Sequence, residues 1–248
     1  MLKHLPNTLT CLNLLCGVIS ILYATQGRYD LCLLLMVISA VFDFLDGFAA
    51  RLLKAYSAIG KELDSLADLV SFGVVPAILL QERFAQTVLL AQLPEYLGWF
   101  PLILAAFSAL RLAKFNLDDR QTDNFIGLPT PAAALMIATG LYASASSGTN
   151  GLWNTWLNEP YTIPLVTLLV AYLLVSGQPM FSMKIKSLKW KDNQLRYTYL
   201  ILVALSLPAW ALIGLKFASW PFFVFTSYLV LNLIKNIYTV IVQNQLKS

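Results

Sequence analysis

The sequence predicts an all-α, polytopic membrane helix bundle of about eight transmembrane helices, and three observations predict it. The 248 residues are 58% hydrophobic and only 12% charged, against about 25% charged in an ordinary soluble domain. Apolar runs recur near 8–26, 30–53, 59–81, 97–116, 130–146, 160–176, 197–215 and 217–241, and a span needs roughly 20 such residues. The cationic residues, finally, segregate by loop. With the N-terminus in the cytoplasm, fourteen of the seventeen Lys and Arg fall on the inner side and only Arg28, Arg83 and Lys216 outside. That asymmetry satisfies the positive-inside rule for eight spans.

Taken in order, the first run follows Lys3 and His4 as a secretory leader would. Asn13 interrupts its core, no small-residue cleavage site follows and further spans come after, so it is expected to be retained. The second and third runs are joined by a short basic turn holding Arg51, Lys54 and Lys61, and the fourth ends in Arg111, Lys114 and Asn116. Gly127 to Pro131 leads into the fifth, where proline suits a first helical turn. After the sixth comes the longest polar interruption, Gly177 to Arg196, in which lysines alternate with Phe181, Met183, Ile185, Leu188 and Trp190. It reads either as a strip that draws in anionic headgroups or as a snorkelling connector. The expected organisation is one integral-membrane domain, 1–248, with a catalytic core about 1–176 and two additional C-terminal helices about 197–241.

Composition also excludes chemistries. Cys11, Cys16 and Cys32 lie in or beside apolar spans without metal-ligand spacing, so packing is their reading. The single histidine is His4, which leaves no base for a Ser-His-Asp or Cys-His mechanism inside the fold. The net charge of +4 is spread over short loops and suits an anionic membrane surface, not nucleic acid.

The informative stretch is DFLDGFAARLLKAYSAIGKELDSLAD, residues 43–68, where five of the thirteen acidic residues, four of them aspartates, fall within 26 positions. One carboxylate deep in a bilayer costs roughly 2.5–3.5 kcal/mol even on a lenient scale, so Asp43, Asp46, Asp64 and Asp68 need compensation from Arg51, Lys54, Lys61 or a bound cation. Asp43 and Asp46 are three apart and Asp64 and Asp68 four apart, so each pair shares a helix face. Two such faces joined by a short turn form an oxygen cage of the kind hard divalent ions take. Two ions could there clamp both sides of a phosphoryl centre. Gly47, Ala50 and Gly60 leave space beside the carboxylates for a flat base or a diphosphate, and Arg51 offers a planar fork for phosphate. Small residues at helical spacing also simply let helices pack closely; packing does not require carboxylates.

The run Asp43-x2-Asp46-Gly47-x2-Ala50-Arg51-x8-Gly60-x3-Asp64-x3-Asp68 resembles the full signature of the CDP-alcohol phosphatidyltransferase family, all eight positions included. The resemblance implies that family's membrane fold, usually as a homodimer, and displacement of CMP from a CDP-linked lipid by an acceptor hydroxyl with Mg²⁺ or Mn²⁺, two ions in all. It implies that Asp43, Asp46 and Asp64 ligate metal and that Asp68 is both ligand and general base. Asp46, Gly47, Ala50, Arg51 and Gly60 would line the CDP site. LPNTLTCLNLLCG at 5–17, LDSLADLVSFGVVPA at 63–77, LRLAKFN at 110–116 and GLPTPAAA at 127–134 further resemble the bacterial and archaeal phosphatidylserine synthases of that family. The expected substrates are then CDP-diacylglycerol and L-serine, met at the cytoplasmic face of the cell (inner) membrane. A serine carboxylate needs a cation, and Arg111 and Lys114 are the candidates, although positive-inside anchoring reads them equally well. Asn13, costly if unpaired in mid-span, reaches either substrate or a neighbouring helix, and Ser71 lies one turn past Asp68. A sibling transferase using glycerol 3-phosphate or inositol phosphate stays an alternative, but would need more cations around the pocket. A cation transporter is the remote one, lacking a matching broken-helix pair in the second half.

Overall fold

The computed structural model describes residues 2–118, 125–147, 152–181, 190, 193–212 and 216–245. Helices α1 (Leu5–Ala24) and α2 (Tyr29–Leu52) form the most extensive pair in the molecule. The buried face of α1 is Pro6, Thr10, Asn13, Gly17, Ser20 and Ala24, while Leu12, Leu15, Ile19 and Leu22 stay exposed. Small and polar residues therefore face the protein and leucines face outward, the inverse of a soluble helix and the expected pattern where the surroundings are lipid. Close approach shows at Gly17, where an added Cβ would lie 3.0 Å from the Ser71 Cα.

Helix α2 ends in a Schellman motif. The Ala55 N–H donates to the Ala50 carbonyl at 3.0 Å and the Lys54 N–H to the Arg51 carbonyl at 3.3 Å, with Lys54 in the left-handed region at φ 48°. Helix α3 (Ala58–Asp68) starts at Ser57, whose hydroxyl accepts from the Gly60 N–H at 3.0 Å. It runs through a π-helical turn, Leu69–Val74, into α4 (Val75–Leu90). Pro76 supplies the cause: it has no N–H for the carbonyl one turn back and its ring crowds that carbonyl. The backbone accommodates by widening, and the Val75 N–H bonds five residues back to Val70.

A 3₁₀ segment, Glu95–Leu102, leads into α5 (Ile103–Leu117), followed by α6 (Thr130–Ser147), the short α7 (Leu152–Asn158) and α8 (Thr162–Val175). Helices α9 (Gln194–Leu212) and α10 (Trp220–Gln245) complete the chain. Six helical segments among the described residues are long and apolar enough to cross a membrane, and the chain is a multi-pass membrane protein. All eight expected spans have a helical counterpart, but those of the fifth and sixth fall short of that standard. Helix α8 has 14 residues, about 21 Å at 1.5 Å per residue, against a hydrocarbon core of about 30 Å. The all-α expectation holds, and the strand pairing among the described residues is a two-residue tie between loops. Phe125–Ile126 (β1) pairs antiparallel with Pro179–Met180 (β2), Phe125 opposite Met180. Gly127, at φ 77°, continues this tie by donating its N–H to the Gln178 carbonyl at 2.8 Å.

The main core, with Met36, Phe72, Leu79, Leu104, Leu128, Ile163 and Leu174 fully buried, lies between α2, the π turn, α4, α5, α6 and α8. A smaller cluster of Phe181, Tyr199 and Tyr228 holds α9 and α10. Arg120, Lys184, Lys186, Lys189, Lys191 and Lys247, and with them most of the basic strip, lie outside the described residues.

Candidate active site

The C-terminal half of α2 and helix α3 bring three of the four aspartates together. Carboxylate oxygens of Asp43, Asp64 and Asp68 lie within 4.8 Å of one another. Asp46 stands outside that triple, 6% exposed, and its Oδ2 accepts from the Thr10 hydroxyl at 2.6 Å. Asp68 Oδ1 accepts from Asn13 Nδ2 at 3.3 Å. Asn13 is in turn gripped through its backbone: the Ser39 and Ser71 hydroxyls both donate to its carbonyl oxygen, at 2.8 and 3.0 Å. Helix α1, the face of α2 and the π turn thus meet one helical turn from Asp43 and Asp68.

No Lys or Arg among the described residues stands within ion-pair distance of those acids. The only ion pair among the described residues is the exposed Arg28–Asp30 pair, and the buried Asp64 Oδ1 has no hydrogen-bond partner. Three crowded carboxylates with an orphaned oxygen and no cation within ion-pair distance are a donor set suited to a hard divalent ion.

Two cavities meet at this cluster, and Asp64 lines both. The first, about 520 Å³, is lined by Asp46, Gly47, Ala50 and Gly60 together with Asn7, Thr10, Tyr56 and Lys61. A Cβ built on Gly47 would meet nothing within 4 Å, so the missing side chain is open cavity. The second, about 690 Å³, is lined by Asp43, Asp68, Arg51 and Arg111, and on its apolar sides by Pro129, Pro131, Tyr199 and Tyr228. Arg51 therefore opens on the second cavity, apart from the other signature residues that resemblance groups with it.

Arg111 is 6% exposed, its Nε has no hydrogen-bond partner and its guanidinium lies 5.2 Å from the centre of the Phe115 ring. Lys114 lines a different recess, of about 500 Å³, which it shares with Arg111. Ser71 is fully buried and lines none of these cavities; its hydroxyl serves the Asn13 carbonyl. Asn116 donates to the Ser65 hydroxyl at 2.8 Å and its carbonyl accepts from Lys61, fastening α5 to α3. Sequence reasoning missed Thr10. Its signal was present, since Thr10 belongs to the same small-and-polar stripe of α1 as Asn13 and Gly17.

This bundle, with its two cavities about an acidic cluster, defines a class. The CDP-alcohol phosphatidyltransferase family profile matches residues 3–175, and the chain belongs to that family. Within it, the chain is 37% identical over 164 residues to a CDP-diacylglycerol–serine O-phosphatidyltransferase of Mycobacterium leprae, covering 62% of this chain and 52% of that one. It is 36% identical over 136 residues to the Bacillus subtilis protein of the same name, covering 55% and 74%. It is 38% identical over 149 residues to an archaetidylserine synthase of Methanothermobacter thermautotrophicus, covering 58% and 61%. The chain spans about half to three-fifths of the length of the mycobacterial and archaeal relatives.

Proposed function

We propose that the chain transfers the phosphatidyl group of CDP-diacylglycerol to the hydroxyl of L-serine, giving phosphatidylserine and CMP. The observation that carries this reading is the division of the acids between two cavities. Asp46 lines the first, Asp43 and Asp68 the second, and Asp64 stands at their junction. A displacement in line at phosphorus needs the leaving group and the nucleophile on separate sides. The first cavity, with Gly47, Ala50 and Gly60, takes CDP; the second takes the acceptor. Relatives named for serine transfer support the choice of alcohol.

Asp43, Asp64 and Asp68, with Asp46, would hold divalent metal, Mg²⁺ or Mn²⁺ and two ions in all. Bound there, the metal would supply positive charge to the diphosphate and to the charge that develops on it. The chain's own residues do the rest. Asn13 holds the Asp68 carboxylate toward the second cavity. The serine hydroxyl gives its proton to Asp68 as its oxygen bonds to the lipid-linked phosphorus. The bond from that phosphorus to the bridging oxygen breaks, and CMP leaves with the electron pair. Positioning and electrostatics supply most of the acceleration in such a transfer. Arg111, buried with an unpartnered Nε, receives the serine carboxylate, and Arg51 contacts the transferred phosphate from the same side. Lys114 stands one recess further off and adds long-range positive charge.

The domain reading is a single integral-membrane domain, 1–248, with a core of about 1–176 and an appended pair of helices at about 197–241; the family match ending at 175 supports it. A homodimer in the cell (inner) membrane, with the N-terminus and the site facing the cytoplasm, is supported by the loop charges and the family's habit. Membranes carrying the protein, given CDP-diacylglycerol and radiolabelled acceptors, test the reading. Label is expected in lipid, with stoichiometric CMP, from serine. Label from glycerol 3-phosphate or inositol phosphate instead would replace serine by a sibling acceptor.

A further inference from the structure

The family match ends at residue 175, yet the second cavity owes part of its wall to helices beyond that point. Its lining includes Tyr199 of α9 and Val224, Phe225 and Tyr228 of α10, in the same space as Asp68 and Arg111. The two tyrosines are built in firmly. The Tyr199 hydroxyl donates to the Val224 carbonyl at 2.7 Å and the Tyr228 hydroxyl to the Phe181 carbonyl at 2.8 Å. Their rings and that of Phe181 make an edge-on triad, with centroids 4.9 Å apart for Phe181–Tyr228 and 6.1 Å for the other two pairs.

The support continues behind them. Asn232 accepts from the Phe181 N–H at 2.8 Å, and Asn236 donates to the Pro179 carbonyl at 3.1 Å, so α10 is tied to the strand just past the core. Hydroxyls committed to backbone carbonyls leave the ring faces as the surface available to a ligand. A rigid aromatic wall in the cavity that contains the base selects by shape, because rings fixed by a hydroxyl bond and by contact with one another yield little to a bulkier guest.

We propose that α9–α10 is the specificity wall of the acceptor chamber, and that Tyr199 and Tyr228 limit the size of the alcohol that reaches Asp68. This rests on the serine-transfer reading. A bulkier β-hydroxy amino acid such as threonine meets the wall; serine fits within it. The residues outside the family match therefore add a size limit to an acceptor site whose charge recognition lies within it, while the CDP cavity, which they do not line, is indifferent to them.

The test is steady-state kinetics with serine, threonine and CDP-diacylglycerol on the full chain and on Tyr199→Ala, Tyr228→Ala, Tyr199→Phe and Tyr228→Phe. In the alanine variants the preference for serine over threonine in kcat/KM should fall by about tenfold or more, as for other pockets that measure one methyl group. The serine KM should rise while the KM for CDP-diacylglycerol stays within about twofold. The phenylalanine variants keep the ring and should keep the discrimination. Where an alanine variant does not elute as a folded protein, Tyr199→Leu and Tyr228→Leu, judged on the same ratio, decide. Unchanged discrimination in a folded variant overturns the proposal, as does a shift confined to the KM for CDP-diacylglycerol. Wild-type protein that releases no CMP with serine overturns the serine reading itself, and the wall with it; the two failures are distinguished by the wild type alone.

Discussion

Asp68 is the residue on which the proposed chemistry turns, because it alone lines the acceptor cavity while taking a hydrogen bond from Asn13. Asp68→Asn keeps the volume and removes the base. Turnover should fall by about 10²–10⁴-fold, the usual worth of a positioned general base, while CDP-diacylglycerol binding measured by isothermal titration is largely retained. Full activity in that variant would remove Asp68 from the role. Gly47 makes a complementary test. No atom lies within 4 Å of a Cβ built there, so Gly47→Leu fits the empty cavity and should fold normally. A ligand that occupies that space would then be overpacked, costing about 1–3 kcal/mol. The measured Kd for CDP-diacylglycerol should rise accordingly, and an unchanged Kd would place the nucleotide elsewhere.

At the scale of elements, the turn between α2 and α3 and the segment before α6 govern how the two cavities are framed. Both use left-handed backbone, one with a suitable residue and one without. Lys54 occupies the position after the α2 cap at φ 48°, where a side chain costs about 1 kcal/mol relative to glycine. Lys54→Gly should raise the temperature at which the detergent-solubilised protein loses its monodisperse elution peak. Gly127→Ala should lower it. At φ 77° the added Cβ would also come within 2.6 Å of the Leu174 carbonyl oxygen, a strain of about 1–3 kcal/mol or more. Because Gly127 precedes Pro129 and Pro131 in the acceptor cavity, that variant should lose serine affinity along with stability.

For the molecule as a whole, the acidic cluster links folding to metal. Three carboxylates within 4.8 Å and without an ion-pair partner repel one another across the α2–α3 junction. A cation that binds them only in the folded state stabilises it, by about 2.7 kcal/mol at a hundredfold excess over Kd. Chelation should therefore lower thermal stability and abolish turnover together, and added Mg²⁺ or Mn²⁺ should restore both. In Asp43→Asn the metal-dependent gain in stability should shrink; a gain equal to that of the wild type would argue against the cluster as the ligand set.

Much of this was legible in the sequence, where lipid as solvent leaves few choices. Backbone polar groups must be paired within each segment, so spanning apolar runs become helices. Helical periodicity alone then puts Asp43 beside Asp46 and Asp64 beside Asp68, and the signature identified the family. The stripe Pro6, Thr10, Asn13, Gly17, Ser20 and Ala24 was equally visible, though only Asn13 drew notice, and it proved to bond Asp68. Other features depended on contacts between segments distant in the chain. The sequence contains no sign that Ser39 and Ser71 would meet at one carbonyl, or that Asp64 would stand between two cavities. Nor does it show that tyrosines at 199 and 228 would enclose a space framed by residues 43–135. Local periodicity determined which side chains share a helix face. Which faces meet is set by packing, and packing sums weak contacts over the whole bundle.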